Sequence, residues 1–155
     1  MWKQVIPGVA YLALPYTGSY GPDCPRYRLE FSFQMANAVA ARLMEGGEVV
    51  FSPISHSHPI GNFMVTYEKD HDFWMAQNEQ IMNFCNRIYV VRIDGWKKSR
   101  GVRWEIEWFQ KRDLPVFLLY IDQASGEILR EVVAKVNGCE SNLIIKQLGL
   151  FPHSS

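Results

Sequence analysis

Four short runs of almost unbroken apolar residues, separated by stretches with helical character, constrain this chain more than any other feature. They are Gly8 to Leu14 (GVAYLAL), Glu48 to Ser52 (EVVFS), Ile88 to Ile93 and Pro115 to Ile121 (PVFLLYI). A strand with one wet face alternates apolar and polar residues, whereas a run apolar throughout must be covered on both faces. Between the first two runs, Arg28 to Glu45 reads as a helix with Phe31, Met35, Ala38, Val39 and Leu43 at helical spacings. Gly46-Gly47 would end it as a left-handed cap. Ser55 to Tyr67, with two histidines, Pro59 and Gly61, reads as irregular. Phe73 to Asn86 reads as a helix, Asp94 to Gly101 as a loop, and Val102 to Lys111 as a further helix. Asp122 to Glu127 is expected to turn at Ser125-Gly126, and the tail from Ile128 to contribute one or two helices divided near Asn137-Gly138. Strands alternating with helices predict an α/β fold: a single doubly wound, mostly parallel sheet of about five strands, Rossmann- or flavodoxin-like, with helices on both faces.

Length and composition agree with one domain over residues 1–155. The chain has 155 residues, a size that sustains one hydrophobic core and is short for two. Lysine plus arginine equal aspartate plus glutamate, 16 each, which argues against a dedicated nucleic-acid-binding domain, since these carry a basic excess. A nucleotide-sized ligand needs only local donors, and low net charge eases self-association. Cys24, Cys85 and Cys139 form no CxxC and fit neither a disulfide scaffold nor a zinc knuckle. They read as thiols of a reducing cytosol. Val5 to Leu14 is interrupted by Pro7 and lacks the pattern of a signal peptide. No run reaches the roughly 18 apolar residues of a membrane span. A cytoplasmic protein without membrane association is the expectation.

The segment carrying chemistry is Asp94 to Ile106 (DGWKKSRGVRWEI). It places a polar, glycine-bearing loop at the carboxyl end of the third strand and a carboxylate in the first turns of the next helix. In open α/β sheets, ligands bind at that edge. Backbone N–H groups at a helix start, together with the Ser99 hydroxyl, suit a phosphate. Lys97, Lys98 and Arg100 either add attraction or form a solvated basic loop. Arg103 either contacts a substrate or pairs with a carboxylate. Glu105 and Glu107 are each a reactive carboxylate or an ordinary solvated helix residue.

Three other features reach the same edge. Tyr16 follows the first strand and either lines a pocket or caps the core. Ser55-His56-Ser57-His58 follows the second strand, with His56 the better candidate for contact with a base or sugar, against the reading of ordinary loop histidines. A His-x-His pair also suggests a metal, but no third or fourth ligand stands at a suggestive spacing, so neither metal nor cofactor is expected. Trp96 is a candidate pocket-lining aromatic. Trp104, Trp108 and Phe109 have the helical spacing of core or of an oligomer contact.

The block Ser99-Arg100-Gly101-Val102-Arg103-Trp104-Glu105-Ile106 resembles the Ser-x-Gly-Val-x-aromatic-Glu-aliphatic stretch of the nucleoside 2-deoxyribosyltransferase superfamily, most closely its nucleotide N-glycosidase branch. Tyr11 to Tyr16, Val49 to Pro53 and Leu114 to Val116 are similar to that superfamily's strand blocks, and the likeness extends from about Tyr11 to Tyr120. It implies that Glu105 attacks the anomeric carbon of a (deoxy)nucleoside monophosphate. It further implies that Ser99 and Gly101 contact the phosphate, that Tyr16 lines the sugar or base pocket, and that Asp94 and Trp96 belong to the same site. The protein is then expected to assemble as a homodimer or higher homo-oligomer, with the Trp108-Phe109 face as a suitable contact. Two departures stand out. Ala13 and Leu14 occupy a turn where glycines are common, and Ile81 occupies the position of a sugar-contacting aspartate, for which Asp72, Asn78 or Asn83 are possible substitutes. The implied activity is hydrolysis of the N-glycosidic bond or transfer of the base. The alternatives are a non-catalytic nucleotide-binding module of the same fold, or a structural protein.

Overall fold

A computed structural model describes residues 5–16, 24–66, 70–122 and 124–133. The expected helices beyond residue 133, the Asn137-Gly138 break and the chain's last residues lie outside the described residues, as does most of the loop after Tyr16. Nine elements follow in order: β1 (Val9–Ala13), α1 (Arg26–Glu45), β2 (Val49–Phe51), α2 (Pro53–Gly61), α3 (His71–Met82), β3 (Cys85–Val91), α4 (Arg100–Lys111), β4 (Val116–Ile121) and β5 (Ile128–Val133). They form one five-stranded sheet of order β2-β1-β3-β4-β5. The first four strands are parallel, and β5 runs antiparallel to β4. The fold is therefore the doubly wound α/β sheet that the apolar runs predict. No described helix is long and apolar enough to cross a membrane.

Each central strand feeds two cores, because successive side chains leave opposite faces. Ala10, Leu12 and Leu14 of the first apolar run, with Tyr89 and Val91, pack under Ala36, Val39 and Leu43 of α1. Tyr11, Ala13, Ile88 and Val90 pack on the other side against Met82 of α3 and Val102, Trp108 and Phe109 of α4. Burying both faces is why alternation is missing from these runs.

Helix ends explain most departures from the expected boundaries. On α1 the buried stripe is Ser32, Ala36, Val39, Ala40 and Leu43, while Phe31 is exposed, so the apolar face is rotated from the expected one. Its terminus is a Schellman cap: Glu48 N–H donates to the Leu43 carbonyl at 3.0 Å and Gly47 N–H to Met44 at 3.0 Å, with Gly47 at φ +98°. The segment after Ser52, expected to be irregular, instead forms α2. Pro53 occupies the first helical position, where its missing N–H costs nothing, and the Ser52 hydroxyl accepts from Ser55 N–H. Asp70 accepts from Phe73 N–H at 3.0 Å and starts α3 two residues before the expected Phe73. That helix stops at Met82, and β3 starts at Cys85 rather than Ile88.

The largest correction concerns Ile128 onward, expected to be helical and found as strand β5. The turn at 122–127 forms as expected, closed by Asp122 N–H to Glu127 carbonyl at 2.8 Å, with Gly126 at φ +70°. A chain leaving that turn pairs with the otherwise open edge of β4, satisfying a row of backbone groups that a helix would leave to water.

A charged network ties the amino-terminal edge together. Glu48, buried before β2, holds both Arg87 and the Tyr89 hydroxyl of β3. Arg130 of β5 joins it, 3.6 Å from Glu48 and donating to the Tyr89 hydroxyl at 3.0 Å. Arg87 also donates to the Pro7 carbonyl at 3.1 Å and to Asn86 Oδ1 at 2.6 Å.

Candidate functional site

The sheet order reverses between β1 and β3, because β1 is followed in the chain by β2 on one side and β3 by β4 on the other. The crevice above that reversal is the binding position of doubly wound folds. An open pocket of about 310 Å³ lies there, lined by Pro15, Ile93 and Asp94 from the strand ends and by Tyr27, Arg28 and Phe31 from α1.

On the opposite side of the sheet, α4 begins beside the same crevice. Ser99 caps it: the hydroxyl, in a residue only 3% exposed, accepts from Val102 N–H at 3.3 Å. A capping hydroxyl keeps its own proton, so accepting that bond leaves Ser99 able to donate to an anion. Gly101 lies in the first turn with ordinary helical geometry. A Cβ added there would sit 3.4 Å from Cε1 of His71, an ordinary contact, so packing alone does not demand glycine. Among the described residues, the buried His71 Nε2 atom has no hydrogen-bond partner. Asp72, also at the start of α3, is 3.8 Å from Arg100 on exposed surface.

The two glutamates of α4 separate by helical phase. Glu107 is exposed, as is Arg103. Glu105 stands three residues after buried Val102 and four before buried Phe109, on the stripe that faces the sheet. Its carboxylate accepts a hydrogen bond from the Tyr11 hydroxyl, Oε1 at 3.2 Å. Burial pushes the Glu105 carboxyl up to about 8, against the opposite pull of the Tyr11 hydrogen bond. Burial, followed by the neighbouring Glu105 charge, holds the Tyr11 phenol well above its ordinary range. A carboxyl held this way ionises with little solvation. It suits attack on, or stabilisation of, a developing cation.

Tyr16 lies on the α1 side and ends a short chain of side chains. Its hydroxyl is 2.5 Å from His58 Nδ1, and His58 Nε2 is 3.1 Å from Glu30 Oε2 on α1. The His58 ring stacks on Phe33, with centroids 4.3 Å apart and planes 19° apart. His56, the favoured histidine in the sequence, is exposed on α2, its ring 5.7 Å from Phe51. Trp96 packs against the α4-side core, with Arg92 and Lys97 near its ring at 5.8 and 5.5 Å. Among the described residues no cluster of three or more His, Cys, Asp or Glu is placed to hold a metal ion.

Asp94, Trp96, Ser99, Gly101 and Glu105 thus share one loop-and-helix unit, of which Asp94 lines the pocket, while Tyr16 packs with the α1-side core. His56 and Arg103 stand apart on exposed surface. Trp108 and Phe109, considered as an oligomer face, are 5% and 0% exposed and belong to the protein's own core. Trp108 is further tied there by its Nε1, which donates to Glu79 at 3.1 Å. Ile81 is near the end of α3, whereas the start of that helix, with His71 and Asp72, approaches the start of α4 at Gly101 and Arg100. Sequence reasoning did not single out Tyr11 or Glu30, and it favoured His56 over His58 within the same motif. Tyr11 did leave a signal: a hydroxyl inside an otherwise apolar, doubly covered strand needs a buried partner.

Fold and site together define a doubly wound α/β protein with a helix-borne, half-buried carboxyl group near the point where the strand order reverses. Residues 8–121 match the family described as Domain of unknown function (DUF1937), and the chain belongs to that family. No curated protein matches the chain.

Proposed function

We propose that the protein cleaves the N-glycosidic bond of a (deoxy)nucleoside monophosphate, with Glu105 as nucleophile. The observation that carries this reading is the half-buried Glu105 carboxyl, held by Tyr11 on the second turn of a helix whose capped start suits a phosphate. Helical side chains lean toward the amino end, so Glu105 reaches back toward whatever Ser99 and Gly101 hold. Anchoring the phosphate then fixes how far the anomeric carbon sits from the carboxylate. The resemblance of the Ser99 to Ile106 block to nucleoside 2-deoxyribosyltransferases supports the same assignment.

In the first step a Glu105 oxygen bonds to C1′ as the C1′–N bond breaks; the base leaves with that electron pair and takes up a proton. Water then attacks C1′ of the glycosyl ester, releasing the carboxylate and the sugar phosphate. If a second base replaces water, the outcome is transfer. Hydrolysis is preferred because the motif is nearer the monophosphate-cleaving branch. Incubation with a panel of nucleoside monophosphates, read as free base by chromatography, tests the assignment. Base release that is lost in Glu105→Gln is the expected result. Nucleotide binding without base release, equal in wild type and Glu105→Gln, would instead establish a non-catalytic module. The specific observation favouring that second reading is Ile81 where a sugar-contacting aspartate is expected.

A further inference from the structure

We propose that Tyr16, His58 and Glu30 form a proton relay that protonates the departing base. This inference rests on the glycosidase reading of Glu105. The three side chains come from three segments: the end of the β1 run, α2 and α1. They meet in one hydrogen-bonded line, Tyr16 Oη to His58 Nδ1 at 2.5 Å and His58 Nε2 to Glu30 Oε2 at 3.1 Å. Both ring nitrogens are engaged, the ring plane is fixed on Phe33, and the His58 side chain is 15% exposed. His58 is therefore placed to act through Tyr16 and not by touching a substrate itself. Among the described residues, the titratable groups hydrogen-bonded to it are Tyr16 and Glu30, with Arg26 near Glu30 on α1. A hydrogen bond from Gln34 and then the contact with His58 hold the Glu30 carboxyl below its ordinary range, so it is an anion facing the ring.

The position of the relay matches the stereochemistry of displacement. A nucleophile and the acid assisting the leaving group must flank the scissile bond from opposite sides. Glu105 belongs to the α4-side core through Tyr11, whereas Tyr16 packs with the α1-side core. Tyr11, which holds Glu105, and Tyr16 belong to the same stretch of chain, β1 and its exit. A nucleotide lying over the carboxyl end of β1 presents C1′ to Glu105 and its base toward Tyr16.

The proton balance closes with the imidazolium form of His58. Nε2–H donates to the Glu30 carboxylate, Nδ1–H donates to Tyr16 Oη, and the Tyr16 O–H proton passes to the nitrogen of the departing base. The Nδ1 proton then restores the phenol, and neutral His58 regains a proton from solvent after the sugar is released. Tyr16 is the catalytic acid. His58 and Glu30 are positioning residues that supply it.

The test compares two leaving groups on the same sugar phosphate: the natural base that wild type cleaves fastest, and 4-nitrophenolate, which departs without a proton. Tyr16→Phe removes one hydroxyl and should slow release of the natural base by on the order of 10²-fold or more. Nitrophenolate release should fall less than about 3-fold, since general-acid assistance has nothing to contribute there. His58→Ala should show the same selectivity, with natural-base cleavage partly restored by added imidazole that fills the slot on Phe33. Glu30→Gln, altered on exposed surface, should show a weaker version and serves if His58→Ala fails to fold. Equal losses for both leaving groups, or none, in a protein whose Glu105-dependent cleavage persists would overturn the relay and leave the glycosidase reading standing. Absence of base release from wild type overturns both.

Discussion

At residue scale, Glu105 shows how burial turns one of the two glutamates of α4 into a different chemical group. With its carboxyl at about 8, only about a tenth is ionised at pH 7 in the free protein. With the nitrophenolate leaving group, which needs no acid, kcat/KM should therefore rise with pH through about 8 and then level off. A profile flat from pH 6 to 9 contradicts this assignment. Stability moves the other way. The folded state keeps its proton to about 8 whereas an unfolded glutamate ionises near 4.5, so the folded form is favoured below the lower value and loses that advantage as pH rises to the upper one. Glu105→Gln removes this penalty. Its stability relative to wild type should grow between those two pH values by on the order of 3 kcal/mol, measured by urea denaturation at several pH values. The same substitution should lower base release by about 10³-fold or more. Gly8 is a residue of the opposite kind, set by a left-handed φ of +83°, and a Cβ there would also lie 2.0 Å from Nδ2 of the Asn86 side chain. Gly8→Ala should cost at least about 1–3 kcal/mol, and an unchanged thermal midpoint would refute that close approach.

At the scale of elements, the ends of α1 and α4 use one geometry with different residues. Both close with a Schellman pair of hydrogen bonds, but α1 uses Gly47 at the left-handed position and α4 uses Asp113 at φ +55°. Asp113→Gly should stabilise the protein by roughly 0.5–1 kcal/mol, since glycine adopts that conformation without the Cβ penalty. At the start of α4, Gly101 separates fold from function. Its surroundings accept a methyl group, and alanine is the better helix former by about 1 kcal/mol. Gly101→Ala should keep or raise the thermal midpoint while weakening binding of nucleoside monophosphates relative to the nucleosides. Equal affinity for the monophosphate in both proteins, by titration calorimetry, would remove the phosphate from this helix start. The expected β-turn at 122–127 was readable because Ser-Gly marks a tip. The strand after it was not, because Ile128 to Val133 satisfies a helical pattern as well as an extended one, and only the open edge of β4 chooses between them.

At the scale of the whole molecule, the buried network around Glu48 joins β2, β3 and β5 across the amino-terminal edge, away from the crevice. Glu48→Ala leaves Arg87 buried without its carboxylate and should cost about 3–5 kcal/mol in denaturant unfolding. A loss under about 1 kcal/mol would mean that Arg87 finds water or another partner. The buried ionic network and the crevice are thus at opposite ends of one sheet, and ligands of doubly wound folds bind at the carboxyl end.

By itself the sequence determined the strands of the parallel core and their burial on both faces, because doubly covered strands are written as continuous apolar runs. It also located the loop and helix that carry Ser99, Gly101 and Glu105, which are adjacent along the chain. Tertiary structure alone decided what those groups meet. Tyr11 and Glu105 are 94 positions apart, Tyr16 and His58 42, and Glu30 and His58 28. Local spacing fixes which face a side chain leaves by. Its partner is fixed by strand order, which brought β1 between β2 and β3 and set one tyrosine on each side of the strand end.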